Sequence, residues 1–310
     1  MTVAAGAAVA TVWRPAEPVD LRLSLSALRR GTGDPTHRVT PDGVVWRTLP
    51  TPAGPATLAL VGRGGEVHGT AWGPGAEWAV ETMPDLCGRR DDTAGFEPAH
   101  PLVRQAWRRA RGLRLPRTGL VFDQLVPTVL EQKVTTKEAR RSYRELVWRF
   151  GTPAPGPVPP GLRVAPGPDL YRRLPSWEWH RAGVDAPRRN AIVAAATAAG
   201  RLEECTALAL PDAYRRLQVI PGVGIWTAAY VAAHALGDAD AVPVGDLHLP
   251  GWVGRALTGK PQDDEGMLAA LAPFAPYRHR VIRLIGTAGF GKDTGGRRAP
   301  HLPIRDYRRW

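Results

Sequence analysis

The chain has 310 residues, 44% of them hydrophobic, and no run of about 18 uncharged apolar residues, which excludes a membrane-spanning helix. Its formal charge of +12 creates a long-range field that attracts polyanions, so nucleic acid heads the possible partners, although a GC-rich genome would also enrich arginine: only four of the 41 basic residues are lysines. Two cysteines, Cys87 and Cys205, are too few for a disulfide framework or a four-thiolate zinc or iron–sulfur site.

In chain order, the Ala-rich run Met1 to Val12 lacks a basic start and is not expected to be a signal peptide, which implies a cytoplasmic protein. From Val19 to about Cys87, apolar residues alternate over short stretches: Leu21, Leu23 and Leu25, then Val44 to Trp46, Leu58 and Leu60, and Val67 after Gly64-Gly65. This pattern predicts a small antiparallel sheet with hairpins, flanked by a helix over Ala76 to Leu86. The acidic, turn-forming stretch Asp91 to Pro98 then suggests a boundary between an α+β domain over 1–95 and a helical domain over 96–290, with a basic tail over 291–310.

Helical periodicity follows at Pro101 to Gly112 and Gly119 to Glu131. Thr135 and Glu138 have capping-box spacing and start a helix whose apolar face runs from Ala139 to Phe150. The Pro/Gly-rich segment Thr152 to Pro168 predicts a loop. Further helices are expected at Ala186 to Leu202, Pro211 to Val219, Ile225 to Leu236, Leu247 to Leu257, Glu265 to Leu271 and Tyr277 to Thr287.

The segment Leu217 to Val231, LQVIPGVGIWTAAYV, joins two helices by Pro221-Gly222-Val223-Gly224. Its glycines permit positive φ or close backbone approach, and the unpaired N–H groups of the second helix form an anion site suited to a phosphate. A plain turn between packed helices has the same local pattern.

This segment resembles the helix-hairpin-helix of the base-excision DNA glycosylase superfamily. The resemblance continues in Phe122 to Val134 (FDQLVPTVLEQKV), in the loop from Asp240 to Asp246, and in Pro276-Tyr277-Arg278. The N-terminal sheet also resembles that of the bacterial 3-methyladenine glycosylase II branch. The resemblance implies an α+β fold: a small antiparallel sheet domain followed by an all-α helix-hairpin-helix domain. It implies a DNA repair enzyme that flips a damaged base, with alkylated purine the first class considered, and acts as a monomer on double-stranded DNA in the nucleoid.

Asp246, 22 residues after Gly224, takes the position of the superfamily's catalytic carboxylate, which stabilises the oxocarbenium-like sugar. Taken alone, an Asp before Leu-His-Leu reads as a helix cap. A lyase would need a Lys two residues after the second hairpin Gly; Trp226 stands there, so a monofunctional enzyme is expected. Trp226 and Tyr230, at i and i+4, are the expected pocket residues, although such pairs also serve as core. Pro221, Gly222, Val223, Gly224 and Thr227 form the expected DNA-binding set, together with Gln132 at the gap left by the flipped base and Lys133 at the wedge position. Lys133 departs from the usual apolar wedge, and Gly286 stands near where the alkylbase branch has a pocket aromatic. No cofactor is expected, though the hairpin has the form of a monovalent-cation site. The competing readings are a glycosylase for another damaged or deaminated base and a non-catalytic duplex-binding protein.

Overall fold

The computed structural model describes residues 7–289, so the basic tail expected at 291–310 lies outside the described residues. Its N-terminal part contains β1 (Val9–Trp13), α1 (Leu21–Leu25), β2 (His37–Val39), β3 (Val45–Thr51), β4 (Gly54–Arg63), β5 (Glu66–Trp72) and α2 (Ala76–Leu86). The strands form one sheet in the order β1-β5-β4-β3-β2, antiparallel throughout. Arg63 pairs with Glu66 across a two-residue turn in which Gly64 and Gly65 have φ of 56° and 82°, the backbone such a hairpin needs. Helix α2 covers the sheet with Ala76, Ala79, Met83 and Leu86.

The strand expected at Leu21, Leu23 and Leu25 is instead helix α1. Asp20 caps it by accepting from the Leu23 N–H at 2.9 Å. The alternation arises because α1 is buried on two sides: Leu21 and Leu25, one helical turn apart, join the sheet core, whereas Leu23 packs against the core formed by helices near the C-terminus. No element is expected over Val9–Trp13, which becomes the edge strand β1 through its pairing with β5.

The helical part comprises α3 (Pro101–Arg109), α4 (Val121–Leu130), α5 (Thr136–Phe150), a two-residue pairing of β6 (Thr152–Pro153) with β7 (Arg163–Val164), α6 (Pro168–Arg173), α7 (Ser176–Arg181), α8 (Ala186–Thr197), α9 (Ala199–Glu203) and α10 (Leu210–Gln218). It continues with α11 (Ile225–Val231), which widens to π geometry over Ala232–Leu236, and then α12 (Leu249–Thr258), α13 (Asp264–Leu271) and α14 (Arg278–Thr287). The capping box opening α5 is present in both directions. The helix expected from Ala186 to Leu202 breaks at Ala198 into α8 and α9. Helices α6 and α7, for which periodicity gives no signal, are held by Tyr171 and Trp179, each 1% exposed.

Asp91, in the stretch read as a boundary, has a buried side chain. It pairs with the fully buried Arg280 of α14 and accepts from the Leu115 N–H at 2.8 Å. The Arg280 guanidinium lies 5.6 Å from the Phe96 ring centroid and 5.5 Å from that of Trp107. The connection between sheet and helices thus carries a polar anchor clasped by aromatic rings.

Candidate active site

Helix α10 ends at Gln218, and the chain turns through Pro221-Gly222-Val223-Gly224 into α11. Val223 plugs the turn into the core at 4% exposure, and its N–H donates to the Ile220 carbonyl at 2.9 Å. Gly222 has φ 85°, and a Cβ there would come within 2.8 Å of the Ala191 Cβ on α8, so both conformation and space require glycine. Gly224 differs from the expectation: its φ is −92°, and an added Cβ would meet nothing. No contact within the protein requires glycine at 224, whose backbone faces outward. The first N–H groups of α11 lack intrahelical acceptors, as at any helix start.

The turn between α4 and α5 locks onto this hairpin. Gln132 Nε2 donates to the Gly222 carbonyl at 2.9 Å and to Thr227 Oγ1 at 2.8 Å. Thr227, a member of the expected DNA-binding set, is 2% exposed, and its hydroxyl supports Gln132 from beneath. Arg188 of α8 fixes the same turn by donating to the Leu130 carbonyl at 3.0 Å. Lys133, the next residue outward, is exposed and is the non-glycine residue with positive φ (55°) among the described residues. An L side chain rarely adopts this backbone, and here it projects from a turn already fixed by Gln132.

Asp246 reaches the hairpin helix from the following loop. One carboxylate oxygen, Oδ2, accepts from Trp226 Nε1 at 3.0 Å and from the Tyr230 hydroxyl at 3.3 Å. The other, Oδ1, accepts from the N–H groups of His248 and Leu249, each at 2.9 Å. Capping and orientation by the ring donors therefore coexist on one side chain, and α12 begins at Leu249, two residues later than expected. The loop is held at both ends. Arg278 Nε donates to Asp240 Oδ1 at 2.8 Å, the Tyr214 hydroxyl donates to Asp238 Oδ2 at 2.8 Å, and the Gly245 N–H reaches the Asp264 carboxylate at 3.1 Å. Arg278, noted in the sequence as part of a Pro-aromatic-Arg turn, thus positions the loop that carries Asp246.

Behind Asp246 runs a row of rings. The Trp226 and Tyr230 centroids are 4.9 Å apart, Tyr230 and His234 6.2 Å, and His234 and His279 of α14 6.2 Å. Burial, then the nearby Asp246 charge, raises the Tyr230 hydroxyl pKa well above its ordinary value, so at neutral pH it remains a donor to Asp246. Burial lowers His234 far below the usual imidazole range and His279 to about 3, so both rings are neutral at pH 7. Arg30 reaches in from the loop before β2, donating to Gln124 Oε1 at 3.3 Å with Glu131 Oε1 at 3.9 Å. On α14, burial lowers Arg283 to about 10.

The sequence motifs did not point to Arg30, His234, His279 or Arg283. The i, i+4 spacing of Tyr230 with His234 and of His279 with Arg283 was the available signal. Among the described residues, no group of three or more His, Cys, Asp or Glu side chains could hold a metal ion, and a cation at the hairpin would rest on backbone carbonyls. A separate cavity of about 240 Å³ is lined by Leu120, Phe122, Asp123, Tyr171 and Glu203 among others, and shares no residue with the Asp246 cluster.

An antiparallel sheet followed by a helical array, with an Asp-bearing loop beside a Pro-Gly-Val-Gly hairpin, defines the fold of the helix-hairpin-helix DNA glycosylases. The chain has that fold over nearly its whole length. It superposes on the 3-methyladenine DNA glycosylase from Archaeoglobus fulgidus with a TM-score of 0.72, at 18% identity, covering 89% of this chain and 97% of that one. The 8-oxoguanine glycosylase/lyase of Clostridium acetobutylicum in its apo form gives 0.69 at 12% identity, covering 89% and 95%. In sequence, the chain is 30% identical over 191 residues to the probable bifunctional transcriptional activator/DNA repair enzyme AlkA of Mycobacterium tuberculosis, covering 61% of this chain and 38% of the relative. The chain therefore matches well under half of that relative's length. No protein-family model matches it. No helix among the described residues is long and apolar enough to cross a membrane.

Proposed function

We propose that the chain is a monofunctional DNA glycosylase that flips a damaged base from duplex DNA and hydrolyses its N-glycosidic bond. The observation that carries this reading is the placement of Asp246. Its carboxylate is fixed at the mouth of the hairpin helix by ring donors from Trp226 and Tyr230 and by two backbone N–H groups. A pure phosphate binder has no use for a fixed anion beside its phosphate site, whereas an oxocarbenium-like sugar does. In this reading the α11 N-terminus takes a DNA phosphate, Gln132 and Lys133 stand at the vacated stack, and the base enters beside Trp226 and Tyr230.

Exposed Val219, Ile225 and Leu247 rim the hairpin and Asp246 at 77%, 59% and 75% exposure, apolar surface that a docked duplex would cover. Trp226, in place of the lyase Lys, supports hydrolysis without strand cleavage. A damaged purine is the substrate class, alkylated by the likeness to the 3-methyladenine glycosylase or deaminated in the alternative reading, with the chain acting as a monomer without a cofactor.

The test is release of free base from duplexes containing 7-methylguanine, 3-methyladenine or hypoxanthine, measured by chromatography. Salt-sensitive duplex binding without release of any base would favour the non-catalytic reading.

The two hairpin glycines separate folding from binding. Gly222→Ala is expected to destabilise the fold by about 1–3 kcal/mol, because φ and Ala191 both oppose a side chain. Gly224→Ala is expected to leave the unfolding midpoint unchanged and still weaken duplex binding several-fold, since its outward backbone meets only the ligand. Unchanged duplex affinity in Gly224→Ala would remove the hairpin from the interface.

A further inference from the structure

The ring row behind Asp246 leads to a charge that the proposed hydrolysis has not used. His279, Arg283 and Gly286 follow one another on one face of α14 at i, i+4 and i+7. His279 meets His234, and one turn along each helix Arg283 comes within electrostatic range of Tyr230. Arg283 therefore belongs to the same cluster of side chains as Tyr230 and the two histidines.

Its surroundings are unusual for an interior guanidinium. Arg280, Arg188 and Arg278 each pair with a carboxylate: Asp91, Asp185 and Asp240. Among the described residues, no carboxylate lies within ion-pair distance of Arg283. It makes only long hydrogen bonds, 3.4 Å to the Leu23 carbonyl and 3.3 Å to Ser26 Oγ, and its Nε is buried without a partner. Beside it, a Cβ added to Gly286 would meet nothing within 4 Å. A largely buried cation without a carboxylate partner is expensive, and a ligand oxygen is a partner that would complete it.

We propose that Arg283 is the residue that reads the flipped base, donating to an exocyclic carbonyl oxygen and thereby selecting neutral 6-oxopurines, such as hypoxanthine, over cationic N-alkylpurines lacking that oxygen. This inference rests on the glycosylase reading of Asp246. When the C1′–N9 bond of a neutral 6-oxopurine breaks, its electron pair leaves with the base and spreads onto O6. Arg283 stabilises that charge while Asp246 faces the cationic sugar. Water then bonds to C1′, and its proton ends on the departing base, giving the abasic sugar and the free purine. A 3-methyladenine nucleoside is already cationic and leaves as a neutral base, so Arg283 opposes its entry and has no developing anion to stabilise. 7-Methylguanine is cationic but retains O6, and so falls between them.

Single-turnover release of hypoxanthine, 7-methylguanine and 3-methyladenine tests this, each rate divided by the spontaneous loss of the same base, with wild type, Arg283→Met and Arg283→Lys. The wild-type acceleration is expected to be largest for hypoxanthine. Arg283→Met should reduce that acceleration about 100-fold while sparing 3-methyladenine, and Arg283→Lys should restore part of it. Equal losses on all three bases in Arg283→Met, or a wild-type acceleration largest for 3-methyladenine, would overturn the proposal. The wild-type order decides the question even if a variant fails to fold. Failure of the wild type to release any base would instead defeat the glycosylase reading itself, and this inference with it.

Discussion

Asp246→Asn is expected to reduce base release about 10³-fold while leaving duplex binding within about twofold of wild type. The amide oxygen can replace Oδ1 and still accept from His248 and Leu249, so the start of α12 is preserved. The amide nitrogen then faces Trp226 Nε1, which can only donate, and Tyr230, whose hydroxyl can reverse its role. The substitution therefore removes the negative charge from the reacting sugar and adds one donor–donor conflict, with little effect on the DNA-facing hairpin. Single-turnover base release and anisotropy on the same duplex measure the two quantities. A rate within tenfold of wild type would return Asp246 to the role of a helix cap.

The largest stability effect is expected at the anchor between the sheet and the helices. Asp91→Ala leaves Arg280 charged, fully buried and without its carboxylate, and leaves the Leu115 N–H unpaired. Breaking one side of such a buried pair costs about 3–5 kcal/mol, read as a lower urea midpoint at constant slope. Converting both partners, Asp91→Asn with Arg280→Met, should recover much of the loss, because no isolated charge remains and Phe96 and Trp107 can pack against the thioether. The surface pair Arg215 and Asp212, with side chains 77% and 48% exposed, is the control. Its removal should change stability by no more than about 1 kcal/mol.

Local signals were legible where the chain's own neighbours fix the structure. The Thr135–Glu138 capping box and the Gly64-Gly65 hairpin each depend on residues a few positions apart, and both form where expected. The Pro-Gly-Val-Gly turn was also visible, but its glycines proved unequal: Gly222 is needed by φ and by Ala191, a residue 31 positions away, whereas Gly224 has no internal demand on it. The failures share one cause. Leu21, Leu23 and Leu25 imitate a strand because α1 is buried on two sides, and Thr227, placed in the expected DNA-binding set, has its hydroxyl covered by Gln132 from the turn between α4 and α5. Asp91 sits in the acidic stretch read as a domain boundary, and its pairing with Arg280, 189 residues later, has no local signal. The candidate site follows the same division. Asp246, Trp226 and Tyr230 lie close enough in sequence to be grouped by spacing, whereas Arg30 and Arg283 converge on them only through the packing of the loop before β2 and α14.

Hydrolysis without strand cleavage is the reaction expected of the Asp246 site. Duplex DNA carrying one hypoxanthine or 7-methylguanine, labelled at one end, is incubated with wild-type protein and divided, half being treated with alkali before electrophoresis. The expected result is free base in both halves and a cut strand only after alkali, because Trp226 offers no amine to the sugar. Strand cleavage without alkali, with a borohydride-trapped adduct on the protein, would contradict it.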